Sequence, residues 1–85
     1  MNYILHLNTV FEQFSKDQRL NSTHISLYMA LFQFWNIHRF PKKFYINREE
    51  VMQMAKIGSK TIYHRCLRNL NDWKYIIYFP SHNPY

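Results

Sequence analysis

Lys60, Thr61, His64, Arg65 and Arg68 recur at intervals of one to four residues near the end of this chain, with Asn71 following. At about 100° per residue that spacing collects them on one side of a helix. The other side of the same segment carries Ile62, Cys66, Leu70 and Trp73, with Tyr63 and Leu67 at its edge. The outward side thus offers three permanent cations, an imidazole, a hydroxyl and an amide. Those are the groups that bond phosphate oxygens and the major-groove edges of bases. No Asp or Glu lies between Val51 and Asn71, so nothing there repels a phosphate. A solvated helix face would carry similar charge, and the surrounding elements must decide between the two.

Other chemistry fits the residues less well. Gly58-Ser59-Lys60-Thr61 resembles the end of a phosphate-binding loop, but the upstream glycine is missing and a helix, not a strand, is expected before it. None of the five His residues forms a ligand pair with Cys66, and His64 and Cys66 point to different helix faces, so neither metal nor cofactor is expected. Cys66 reads as a small core residue. Glu49 and Glu50 open a helix, where acids favour the dipole, and need no catalytic role. No nucleophile–base set stands out, and an enzyme is not expected.

The chain has 85 residues, enough for one small domain. Seven Phe, seven Tyr and two Trp supply enough buried area for a core at this size. The formal net charge of +6 suits a polyanion partner. A single Cys forms no internal disulfide, which points to a reducing compartment. Met1-Asn2-Tyr3-Ile4-Leu5-His6 lacks the pattern of a secretory leader, and no apolar run approaches the ~20 residues that span a bilayer. A soluble, cytoplasmic protein without a membrane partner is expected.

The elements that must position the basic face can be read in order. Tyr3 to Lys16 reads as an amphipathic helix, with Ile4, Leu7, Val10, Phe11 and Phe14 on one face. Its partner is either the domain's own core or a second copy of the chain. Asp17 to Asn21 reads as a loop, and Ser22 or Thr23 is placed to cap a helix from about His24 to His38. That helix is apolar on most sides and should be central. Pro41 disfavours helix at Phe40, and Phe44-Tyr45-Ile46 predicts a short strand. Asn47 is the predicted N-cap of a helix from Arg48 to about Lys56, with Glu50 completing a capping-box-like pattern. Ile57-Gly58 makes the turn, where glycine can supply a positive φ. Ser59 caps the last helix, which should end near Asp72 or Trp73. Tyr75-Ile76-Ile77-Tyr78-Phe79 predicts a second strand, stopped by Pro80.

The segment from His24 to Phe79, about two-thirds of the chain, resembles a winged helix-turn-helix DNA-binding domain. It is most similar to the N-terminal domains of DnaD-like phage and plasmid replication proteins, and to bacterial transcriptional regulators. The apolar helix Ile25–Ile37, the strand Phe44-Tyr45-Ile46, the capped helix from Asn47, and Gly58-Ser59-Lys60-Thr61-Ile62-Tyr63 carry the resemblance. It implies a mainly α fold with a small β-sheet: a three-helix core, an N-terminal helix, and a short or truncated wing. Residues 1–85 would form a single winged-helix domain, with 1–20 as N-terminal helix and loop and 22–79 as core. It also implies DNA contacts from Ser59, Lys60, Thr61, His64 and Arg65. Two features depart from the pattern. Gly58 sits later in the turn than usual, and only the first strand of a wing hairpin is present. Either the protein continues beyond Tyr85 or its wing is vestigial.

These readings converge on sequence-specific binding of double-stranded DNA, in transcriptional regulation or replication initiation. Lys60, His64 and Arg65 would reach base edges, and Thr61, Arg68 and Lys56 would hold phosphates. Lys74, with Tyr75 and His82, would approach the sugar–phosphate backbone. About four phosphates predict a log–log salt slope of about −3.6. The alternative is a protein-interaction module, since one fold serves many functions. A homodimer through the helix from Tyr3 to Lys16 is the expected assembly.

Overall fold

Asn21 fixes where the second helix begins, and the other elements gather around that helix. The computed structural model describes residues 3–79. They form α1 (Tyr3–Lys16), α2 (Ser22–Ile37), α3 (Arg48–Ala55) and α4 (Lys60–Asp72). The Asn21 side chain accepts from the N–H groups of Thr23 (2.9 Å) and His24 (3.2 Å), and His24 Nδ1 accepts from the Asn21 N–H at 3.0 Å. This reciprocal capping box satisfies three backbone donors. It displaces the predicted cap at Ser22 or Thr23 by one residue or two. Asn47 and Ser59 cap α3 and α4 as expected, accepting from the N–H groups of Glu50 (3.0 Å) and Ile62 (3.2 Å).

Helix α2 is the centre of the fold, with α3 and α4 both packed on it. Leu27 is fully buried, and Tyr28, Ala30 and Leu31 are buried beside it. Val51 and Ala55 of α3 and Tyr63, Cys66, Leu67 and Leu70 of α4 complete the core. The Ser26 hydroxyl donates to the Ala55 carbonyl, which ties α2 to the end of α3. Helix α1 packs Phe14, with Val10, on this same core. Phe14 is buried with its ring edge-on to Tyr28 at 5.2 Å, and His6 stacks on Phe32 at 5.7 Å. Of the two partners open to α1, the domain's own core is one that it uses.

Three helices end in the same motif. After α2, α3 and α4 the residues Arg39, Lys56 and Lys74 take positive φ values of 63, 60 and 68. In each case the residue's own N–H and the next one reach back into the last turn. At α3 these are Lys56 N–H to Gln53 O (3.3 Å) and Ile57 N–H to Met52 O (2.9 Å). At α4 they are Lys74 N–H to Asn71 O (3.1 Å) and Tyr75 N–H to Leu70 O (2.9 Å). This is the Schellman arrangement, which normally takes glycine. The positive φ expected at Gly58 therefore belongs to Lys56, and Gly58 has none. A Cβ added at Gly58 would meet nothing within 4 Å. Gly58→Ala should stabilise the fold by about 0.4–1 kcal/mol in a urea titration, through the unfolded chain. Lys56→Gly should stabilise it too, by up to about 1 kcal/mol, through relief of the left-handed backbone.

No strand forms among the described residues, so the expected β-sheet and wing strand are corrected. The cause is visible at the segment 75–79. The N–H groups of Tyr75 and Ile76 donate to the Leu70 carbonyl at 2.9 and 3.3 Å, and the Tyr78 N–H donates to Asn71 Oδ1 at 2.9 Å. A ladder needs those donors, and the end of α4 holds them. Beside the segment 44–46, Lys43 Nζ lies 4.8 Å from the Phe79 ring centroid, a side-chain contact and not a backbone pairing. Aromatic and β-branched content favours a pleated surface, but pairing requires free backbone groups on both sides.

Candidate nucleic-acid interface

Helix α4 is two-faced. Tyr63, Cys66, Leu67 and Leu70 are at most 2% exposed, and Ile62 packs against them. On the other side Lys60, Thr61, His64, Arg65 and Arg68 are all exposed. The buried face fixes the helix, and the exposed one is presented on a rigid support. Asp72 is also exposed and closes the row at its C-terminal end.

The sequence-predicted residues are not equivalent in this setting. Among the described residues, the side chains of Lys60, Thr61 and Arg68 have no hydrogen-bond or ion-pair partner. The His64 ring rests against Tyr63 at 5.1 Å. Arg65 lies close enough to the buried His24 and Cys66 for its charge to lower both pKa values, although burial is the larger influence on each and raises that of the Cys66 thiol overall. Ser59 is half-buried, and its oxygen serves the helix cap. Lys56 is exposed just before α4 and lines a shallow groove with Phe34, Glu50, Gln53 and Met54. Lys74 stands beyond the far end of α4, about 20 Å along its axis from Lys60. Two residues leave the expected surface. Asn71 is half-buried and holds the Tyr78 N–H. The Tyr75 hydroxyl donates to Asp17 Oδ2 at 2.8 Å, and burial first, then that carboxylate, pushes its pKa up to about 12. His82 lies outside the described residues.

The C-terminal end of α4 is braced by a polar cluster. Arg19 forks onto Asp17, Nε to Oδ1 at 2.8 Å and Nη2 to Oδ2 at 2.7 Å. Those bonds, joined by the Tyr75 hydroxyl, hold the Asp17 carboxyl far below the usual range. The Arg19 guanidinium also lies 4.6 Å from the Trp73 ring centroid. Trp73 in turn meets the His24 ring at 5.1 Å, and His24 Nε2 lies 3.0 Å from the Asn69 carboxamide of α4. His24 therefore links the start of α2 to α4 through both ring nitrogens.

His24 also sets a pH response. Burial, and then the Arg65 charge, hold its pKa below the ordinary histidine value, while Asp17 acts the other way. Protonation would put a hydrogen on Nδ1 and break the capping box. A group with a depressed folded pKa contributes stability above its unfolded pKa, about 6.5, and loses it as pH falls through the folded value. Urea midpoints should therefore decline as pH drops below about 6.5, and His24→Gln should flatten that decline.

No protein-family model, curated protein or solved structure matches this chain. No cluster of His, Cys, Asp or Glu suited to a metal occurs among the described residues, and no described helix is long and apolar enough to cross a membrane.

One cation outside the expected set reaches α4. Arg48 is half-buried at the start of α3, its Nε is buried without a hydrogen-bond partner, and its charge reaches the Tyr63 hydroxyl. Arg39, Lys42 and Lys43 are exposed on the connection before it. The sequence signal was present as a run of basic residues, but only chain geometry brings its end to α4.

Proposed function

We propose that this chain binds double-stranded DNA, with α4 lying in the major groove and α3, the turn and α4 acting as a helix-turn-helix. One observation carries the reading: Lys60, Thr61, His64, Arg65 and Arg68 are exposed together on a helix whose opposite face is sealed in the core. Groups that read bases need such a fixed support, because a misplaced donor loses its bond. The helix order supports the helix-turn-helix part of the winged-helix resemblance. The wing part has no support among the described residues. A setting in transcriptional regulation or replication initiation rests on the resemblance alone.

Titration against mixed genomic duplex fragments tests this reading. Salt-sensitive binding at near-physiological ionic strength, with a log–log slope of about −3.6, is the expected result. Absence of such binding would favour a protein-interaction module. That second reading has its own observation, since Phe11, Ile37 and Met54 are 43%, 58% and 44% exposed. A homodimer through α1 has less to rest on, because Phe14 is held inside the protomer. Sedimentation showing dimers at micromolar concentration, abolished by Phe11→Glu, would restore it.

A further inference from the structure

The connection from α2 to α3 carries charge and an aromatic ring that the α4 reading leaves unused. Arg39, Lys42, Lys43 and Arg48 fall within one short run that contains no Asp or Glu. The first three are exposed. From the same run Tyr45 projects almost wholly into solvent, at 99% exposure. It is the most exposed large apolar side chain among the described residues.

The loop that presents these groups is held in shape. Phe40 meets Trp35 edge-on at 4.5 Å, and Trp35 Nε1 donates to the Pro41 carbonyl at 2.9 Å. The His38 and Phe44 rings lie 5.7 Å apart. Arg39 and Phe40 both adopt positive φ, 63 and 58. Consecutive left-handed residues with side chains are unfavourable, and such backbone persists where its surroundings over-determine it, often at binding sites.

The loop is also anchored beside α4. At its end, the Arg48 charge reaches the Tyr63 hydroxyl, and the Tyr63 ring touches His64. Nearer its middle, Lys43 lies over Phe79, at the end of the segment that Asn71 of α4 holds. Glu49 and Glu50 follow in the first turn of α3 and bound the basic run on that side.

We propose that Lys42 and Tyr45 form a second contact with the duplex that α4 engages, Lys42 bonding a backbone phosphate and Tyr45 laying its ring against the adjoining sugar or base. Charge complementarity favours a polyanion at this loop, and the links of Arg48 to Tyr63 and of Lys43 to Phe79 keep the loop close to α4, so the duplex on α4 is the occupant proposed. An exposed ring among cations is the combination that holds nucleic acid without reading its sequence. The inference rests on the DNA-binding reading and extends it to residues outside α4.

The test uses short mixed-sequence duplexes, fluorescently labelled, titrated with the whole chain at several salt concentrations. Lys42→Gln with Tyr45→Ala should weaken binding roughly tenfold and reduce the magnitude of the salt slope by about 0.9, the loss of one phosphate. Both side chains are exposed, so the thermal midpoint should not move. Unchanged affinity and slope in this variant, while Lys60→Ala with Arg65→Ala still weakens binding, would overturn the loop contact and leave α4 standing. No salt-dependent binding by the unaltered chain would overturn both. A variant that keeps its DNA affinity but loses binding to vesicles of anionic lipid would overturn the proposal in favour of a membrane surface.

Discussion

Lys60→Ala combined with Arg65→Ala will weaken duplex binding by about 2–4 kcal/mol, roughly 30- to 1,000-fold at fixed salt, and relax any base preference. Both side chains are exposed on α4, on the side opposite the buried Tyr63, Cys66, Leu67 and Leu70. Their removal should therefore leave unfolding within about 0.5 kcal/mol of the unaltered protein. Arg68→Ala should behave differently. As a phosphate contact it would reduce affinity uniformly across sequences and bring the salt slope from about −3.6 to about −2.7. The pair separates reading of bases from holding of the backbone. Anisotropy titrations on mixed and selected duplexes measure both quantities. Unchanged affinity and slope in the double variant would remove α4 from the binding surface. Arg65→Ala has a second consequence inside the fold. With its charge gone, the His24 pKa should rise toward the ordinary value, and the loss of stability on acidification below about pH 6.5 should be smaller and complete at higher pH.

The helices were legible in the sequence because their determinants are local. Asn47 and Ser59 each stand three residues before the N–H that they accept, and the two faces of α4 follow from spacing alone. Cap choice at α2 was less legible. Asn21, Ser22 and Thr23 are all good caps, and what selects Asn21 is the reciprocal bond that its N–H donates to a His24 held in place by α4 and Trp73. The left-handed turn was misassigned because glycine is the usual occupant. Lys56 fills that slot instead, supported by two backbone bonds and the buried Ile57. The strands failed for a related reason. Their composition is right for a sheet, but the N–H groups of Tyr75, Ile76 and Tyr78 cap α4. In the site, the exposed row on α4 was legible. Withdrawal of Tyr75 was not, since its partner Asp17 is distant in sequence and only the fold brings them together. The basic run before α3 was visible as charge, yet no local rule says which surface it borders.

Leu27→Ala will destabilise the protein by about 3–5 kcal/mol, the loss of buried methyl groups plus the cavity left behind. Leu27 is fully buried on α2, in one cluster with Val51 of α3 and Leu67 and Leu70 of α4. A void there has walls on two helix pairs, so collapse of either side strains the other. Domains of this size have a total stability of about 5–15 kcal/mol, so a single truncation removes a large share of it. Ile37→Ala, at the exposed end of the same helix, is the matching control and should stay within about 0.5 kcal/mol. Urea unfolding of the two variants measures the contrast directly. Because α4 owes its orientation to this cluster, the Leu27 variant should also lose duplex affinity at urea concentrations where the Ile37 variant still binds. Comparable midpoints for the two would mean that α2 is not the element on which the presented face depends.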